Sequence, residues 1–113
     1  MTLGQKQKIF TRLVGLLIEY AYQNGYELTM GDGYRDKRVF GDVGEKKGYG
    51  ASRSNHKIRL AHDFNLFKDG EYMTETEDHR DLGEFWESLH ESCVWGGHFN
   101  DGNHYSMEHN GSK

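Results

Sequence analysis

Between Ile58 and Leu66 the apolar residues Ile58, Leu60, Phe64 and Leu66 fall on one parity of the chain, and Arg59, Ala61, Asp63 and Asn65 fall on the other. An extended chain sends successive side chains to opposite faces, so this alternation predicts a strand with one buried face. The constraint is severe: something must cover the apolar face, and the opposite face must display Asp63. Two stretches can supply the cover. From about Gly4 to Asn24, Phe10, Leu13, Val14, Leu17 and Ala21 recur at helical spacing, with Ile9, Leu16 and Tyr20 widening the stripe. Asn24-Gly25 is its expected C-terminal stop. A second helix is predicted to begin with Thr76 as its cap, with Glu77 and Asp78 favouring the positive end of the dipole. Leu82, Phe85, Trp86, Leu89 and Cys93 form its expected core stripe, and Trp95-Gly96-Gly97 its break.

The remaining segments read as strands and turns. Tyr26 to Met30 alternates, and Gly31-Asp32-Gly33 then turns the chain to present Tyr34 and Arg35 at a strand end. Lys68-Asp69-Gly70 is a hairpin signal, followed by a return strand from Glu71 to Thr74. A last strand is expected from His104 to Met107, and a frayed polar tail from His109 to Lys113. Asp36 to Ser52 is charged and glycine-rich and reads as a flexible loop bordering a cleft. Its Gly48-Tyr49-Gly50 is no phosphate loop, since neither a helix pattern nor a Lys-Ser/Thr pair follows. The expected fold is therefore α+β: a small, mainly antiparallel sheet flanked by two main helices, the first helix on one face and the site on the opposite side. Residues 1–113 read as one domain.

Composition excludes several classes. A net charge of −4 argues against a protein that binds nucleic acid by neutralising phosphates. Cys93 is the only cysteine, which rules out an internal disulfide and a cysteine-rich zinc ribbon; it reads as a small buried hydrophobe. There is no run of 18 apolar residues and no charged-then-apolar leader with a small-residue cleavage site. The expectation is a monomer made in the cytoplasm of a host cell, without stable membrane association, that something else must deliver if it acts outside.

The chemistry-bearing residues lie in two clusters. Ser54-Asn55-His56 and Asp63 place an imidazole and a hard carboxylate seven residues apart, and Asp101-Gly102-Asn103-His104 sets an acid three residues before a histidine. His56, Asp63 and His104 are three ligands suited to Zn²⁺, with Asp101 as a spare carboxylate: the inventory of a catalytic zinc site that keeps a fourth position for water. The other histidines read differently. His79 and His90 are expected on the second helix, solvent-facing or in a polar network, and His98 and His109 at the surface. His62 alternates to the opposite strand face, packed beneath the site.

At these positions the chain resembles the zinc peptidoglycan peptidases of the VanY and phage endolysin group, whose pattern reads S-x-H-x-x-G-x-A-x-D, W-G-G, then D/E-x-x-H and an aromatic. Ser54, His56, Ala61 and Asp63 match the first part; Trp95-Gly96-Gly97, Asp101, His104 and Tyr105 match the rest; Gly33-Tyr34-Arg35 is similar to the family's G-Y-R element. Arg59 stands where the family has glycine, Phe99 replaces a tryptophan, and the link from Gly97 to Asp101 is short. These departures bear on local turn geometry more than on the metal set. The resemblance implies hydrolysis of a bond in the peptidoglycan stem peptide. Asp101 would be general base and then acid, Arg35 would polarise the scissile carbonyl, Ser54 would brace the His56 turn or contact substrate, and Trp95 would wall the pocket. Aspartate in the last motif, where the family's D-alanyl-D-alanine carboxypeptidases and dipeptidases carry glutamate, implies an L-alanyl-D-glutamate endopeptidase acting in phage lysis of the cell wall.

Two rival readings are weaker. His98, Asn100, Asn103 and His104 offer the residue types of an HNH nuclease, but no basic patch flanks them. A zinc-stabilised module that grips muropeptide without cutting it would need no free acid beside its last ligand.

Overall fold

The computed structural model describes residues 1–36, 38 and 54–113, so most of the expected loop from Asp36 to Ser52 lies outside the described residues. Helix α1 spans Leu3–Gln23 and starts from a capping box not anticipated in the sequence. The Thr2 hydroxyl accepts from the Gln5 N–H at 3.1 Å, and the Gln5 side chain accepts from the Thr2 N–H at 2.8 Å. Asn24 closes the helix, and Gly25 follows with φ 85°. Strands β1 (Tyr26–Met30), β2 (Ala61–Lys68), β3 (Glu71–Met73), β4 (Cys93–Trp95) and β5 (His104–Met107) form one antiparallel sheet in the order β1-β2-β5-β4, with β3 pairing β2 beside β5. Helix α2 is Arg80–Ser88. The architecture is α+β, as the alternating and helical patterns predict.

Asp69 and Gly70 both take positive φ, 52° and 78°, which is the two-residue hairpin that Lys68-Asp69-Gly70 encodes. Phe10, Leu13, Leu17 and Ala21 of α1 share one core with Leu82 and Trp86 of α2 and with Phe64, Leu66, Cys93, Trp95, Tyr105 and Met107 of the sheet. The Phe10 and Trp86 rings meet edge to face at 5.6 Å, and the Trp86 indole donates to the Ser106 carbonyl at 2.9 Å. Because Phe64 and Tyr105 face this core, their neighbours Asp63 and His104 face away from it.

Several expectations are corrected. Ile58 belongs to a 3₁₀ turn, Asn55–Ile58, and the strand begins only at Ala61. Thr76 is not the cap: Glu75 precedes a 3₁₀ turn, Thr76–His79, and donates its N–H to the Asp78 carboxylate at 3.0 Å. The second helix ends at Ser88, so Cys93 is not on its stripe but in β4, where burial pushes its thiol up to about 12. Trp95-Gly96-Gly97 accordingly ends a strand instead of breaking a helix. The tail is tied down by a bridge between His109 and Ser112 and by the Asn55 amide, which donates to the Ser112 carbonyl at 3.0 Å.

Trp95 sets the tightest packing. It is 2% exposed, and a Cβ built on Gly83 of α2 or on Gly97 would land on its ring. Gly83→Ala should therefore destabilise the protein by about 2 kcal/mol or more, because the overpacking cost exceeds the roughly 1 kcal/mol that alanine adds to a helix. Gly15, exposed in mid-α1 with open space around it, supplies the opposite sign: Gly15→Ala should stabilise by up to about 1 kcal/mol. Urea midpoints of the two variants should move in opposite directions.

Candidate metal centre

His56 is delivered by a short, fully braced turn. The Ser54 hydroxyl accepts from the His56 N–H at 3.2 Å and caps the turn. The turn closes at Arg59, whose backbone is left-handed (φ 58°, ψ 35°) and whose guanidinium lies 3.8 Å above the centre of the Tyr34 ring. Glycine occupies such a backbone at least cost; here an arginine takes it. Asn55 is fully buried, and its amide also donates to the Met107 carbonyl at 2.6 Å, fastening the turn to β5.

Asp63 and His104 arrive by strand pairing. They stand directly opposite each other on β2 and β5 and so share one face. Beyond β1 the chain still follows β2: Gly31 N–H donates to the Asp63 carbonyl at 2.9 Å, and Asp63 N–H donates to the Asp32 carbonyl at 2.8 Å. One Asp63 oxygen, Oδ1, lies 3.2 Å from His56 Nε2 and 3.3 Å from His104 Nδ1. The three residues offer ligand atoms that all lie within 4.8 Å of one another, and this group could hold a metal ion.

The hydrogen bonds argue that it fits one. His56 Nδ1 lies 2.7 Å from the Gly33 carbonyl, which can only accept, so Nδ1 carries the proton. In the neutral ring Nε2 is then a lone pair, and it faces another acceptor, Asp63 Oδ1, which is buried and makes no hydrogen bond among the described residues. Two acceptors held this close ask for a cation between them. A carbonyl that fixes the tautomer of a ligating imidazole is also the outer support such a ligand ordinarily has. A proton on either facing ring nitrogen serves the same need: burial alone would raise the Asp63 carboxyl, but hydrogen bonds and charge from His104 and His56 rings protonated in this way outweigh it and hold it well below the usual carboxylate range.

Asp101 is brought alongside by a tight turn in which its N–H donates to the Gly96 carbonyl at 2.8 Å and its carbonyl accepts from the His104 N–H at 3.1 Å. A Cβ on Gly96 would collide with that carbonyl, so the glycine is what lets the turn close. Asp101 Oδ2 stands 3.9 Å from His104 Nδ1, and the side chain is 52% exposed. Burial of its inner part raises its pKa, and repulsion from Asp63 adds to this; the imidazoles of His104 and His56 and the Arg35 guanidinium pull the other way without cancelling it. Arg35 donates to the Ser54 hydroxyl at 2.8 Å and to Asp32 at 3.4 Å, and its N–H donates to the His56 carbonyl at 3.0 Å. The structure thus gathers His56, Asp63, His104, Asp101, Arg35 and Ser54 in one place. Trp95 is in the core behind them, its indole donating to the Gly102 carbonyl at 2.7 Å, so it supports the Asp101–His104 turn from beneath.

Three contributors escaped sequence reasoning. The Gly33 carbonyl and the Asn55 amide act through backbone or by burial, and a glycine or asparagine in a loop announces neither role. His79 is the third. It is in a polar network, but a buried one: its Nδ1 lies 2.8 Å from the Tyr105 hydroxyl, and burial lowers its pKa to about 4. A histidine held neutral in this way contributes stability above its unfolded pKa of about 6.5, and loses it as pH falls toward its folded value. Chelator-treated protein should accordingly lose up to about 3 kcal/mol of stability from this residue between pH 6.5 and pH 4. His79→Gln should flatten that part of the profile; an unchanged slope in urea titrations at stepped pH would remove His79 as the cause. No protein-family model matches the chain, and neither does any curated protein.

Proposed function

We propose that this chain is a zinc-dependent peptidase acting on the stem peptide of peptidoglycan, as an L-alanyl-D-glutamate endopeptidase of the endolysin kind. The observation that carries the reading is the half-exposed carboxylate of Asp101, 3.9 Å from His104, beside a His56-Asp63-His104 group with the donor set zinc prefers. A closed structural site would use this acid as its fourth ligand; here it stays half exposed. No helix among the described residues is long and apolar enough to cross a membrane.

His56 Nε2, Asp63 Oδ1 and His104 would hold the ion, which when bound brings the pKa of a water toward about 7 and polarises a carbonyl. Asp101 takes the proton of the attacking water and passes it to the leaving amine, the two halves of general base and acid catalysis. The Arg35 guanidinium, anchored on Ser54, supplies positive charge on the same side as Asp101 and favours an oxygen on which negative charge develops. Aspartate at position 101 supports the endopeptidase choice within the similar family. The test is digestion of purified peptidoglycan by the zinc-loaded protein with the new termini identified by mass spectrometry. New alanyl carboxyl and glutamyl amino termini are expected. Release of terminal D-alanine would move the reading to a carboxypeptidase, and no new termini would leave a binding module.

A further inference from the structure

A polar cleft of about 240 Å³ opens directly beside Asp101, walled by Asn65, Thr74, Glu75, Thr76 and Asn100. None of the three metal-group residues lines it, so it extends away from them. Its lining contains one buried polar side chain, His79, which is 4% exposed. The Tyr105 side chain is fully buried, and among the described residues its hydroxyl has one hydrogen-bond partner, His79 Nδ1 at 2.8 Å. Were Nδ1 to donate, the buried phenol O–H would be left without an acceptor; the phenol therefore donates to Nδ1, which leaves the imidazole hydrogen on Nε2. His79 Nε2 has no hydrogen-bond partner among the described residues, yet it is not among their buried unpartnered atoms, so it reaches the cleft.

We propose that this cleft is a peptide-binding subsite in which His79 Nε2–H donates to an amide carbonyl of the substrate chain flanking the scissile bond. The inference rests on the peptidase reading and adds to it the group that positions the substrate. The charge pattern selects the ligand. Among the described residues Glu75 and Asp101 line the cleft and no lysine or arginine does, so the glutamyl carboxylate would be repelled whereas the neutral amides on the alanyl side of the scissile bond are not. The threonine hydroxyls and the asparagine and glutamate oxygens can accept the amide N–H groups. A buried imidazole whose second nitrogen is fixed by a tyrosine is a pre-organised donor with little rotamer freedom to lose on binding. His79 is therefore a positioning residue that touches substrate without joining the proton transfers.

Two measurements test this. Side-chain ¹⁵N spectra of the zinc-loaded protein should find His79 protonated at Nε2, and adding muropeptides released by a muramidase should shift that resonance. In kinetics on the same muropeptides, His79→Phe should raise KM by roughly ten-fold, the scale of one neutral hydrogen bond, with kcat nearly unchanged. His79→Gln, which carries an amide N–H near the same place, should recover most of the loss. Protonation at Nδ1, or a His79 signal indifferent to muropeptide while His56 or His104 responds and cleavage proceeds, would overturn the subsite and leave the peptidase standing. If the wild-type protein neither cleaves nor responds anywhere, the peptidase reading falls and the subsite with it.

Discussion

Removing either imidazole of the metal group is expected to empty it. His56→Ala and His104→Ala should each weaken zinc binding by more than about 10²-fold, since even loss of an outer support for a ligand costs 10–100-fold. Elemental analysis after dialysis should find zinc near one ion per chain in the wild-type protein and little in either variant. Asp63→Asn should do the same without changing size, because the amide cannot supply the negative charge that sits 3.2 and 3.3 Å from the two imidazoles. Gly33 offers only its carbonyl and cannot be tested by side-chain replacement. Its effect should instead be visible in the His56 tautomer, which should remain Nδ1–H in metal-free protein. Full zinc retention in any of the three variants would remove that residue from the site.

The chemistry of this site was legible because it is carried by residue types that have few other reasons to occur together. Asp63 on the odd parity of an otherwise apolar strand had to face away from the core, and the paired strand brings His104 opposite it. Elements with a strong period were equally legible: β1 falls where its alternation puts it, and α1 is displaced by one residue at each end, while β5 lies where a last strand was expected. What failed was punctuation. Cys93 continues the apolar spacing of Leu82, Phe85 and Leu89, so the helical period runs on past Ser88, although the chain has already turned at Leu89 and re-entered the sheet. The tail looked loose because its residues are polar, yet its backbone carbonyl at Ser112 is what Asn55 reaches for. Backbone acceptors such as that one and Gly33 carry no sequence signature. Neither does the difference between an exposed histidine and His79, which is set by the Tyr105 hydroxyl arriving from a strand 26 residues away.

Asp101→Asn separates chemistry from binding. The substitution keeps size and nearly the shape, and the turn that presents the side chain is made by backbone bonds to Gly96 and His104 that asparagine preserves. Asp101 Oδ2 is 3.9 Å from the nearest ligand atom of His104, beyond hydrogen-bonding distance, so the metal group does not depend on it for support. Zinc content and urea midpoint should therefore match the wild type. Turnover of muropeptide should fall by about 10²–10⁴, the range of a lost acid–base group, with KM little changed because the substrate is held elsewhere. A variant that hydrolyses at the unmodified rate would dismiss Asp101 as the base while leaving the zinc site untouched. One that loses zinc along with activity would make Asp101 a fourth ligand, and the site would then be closed and structural.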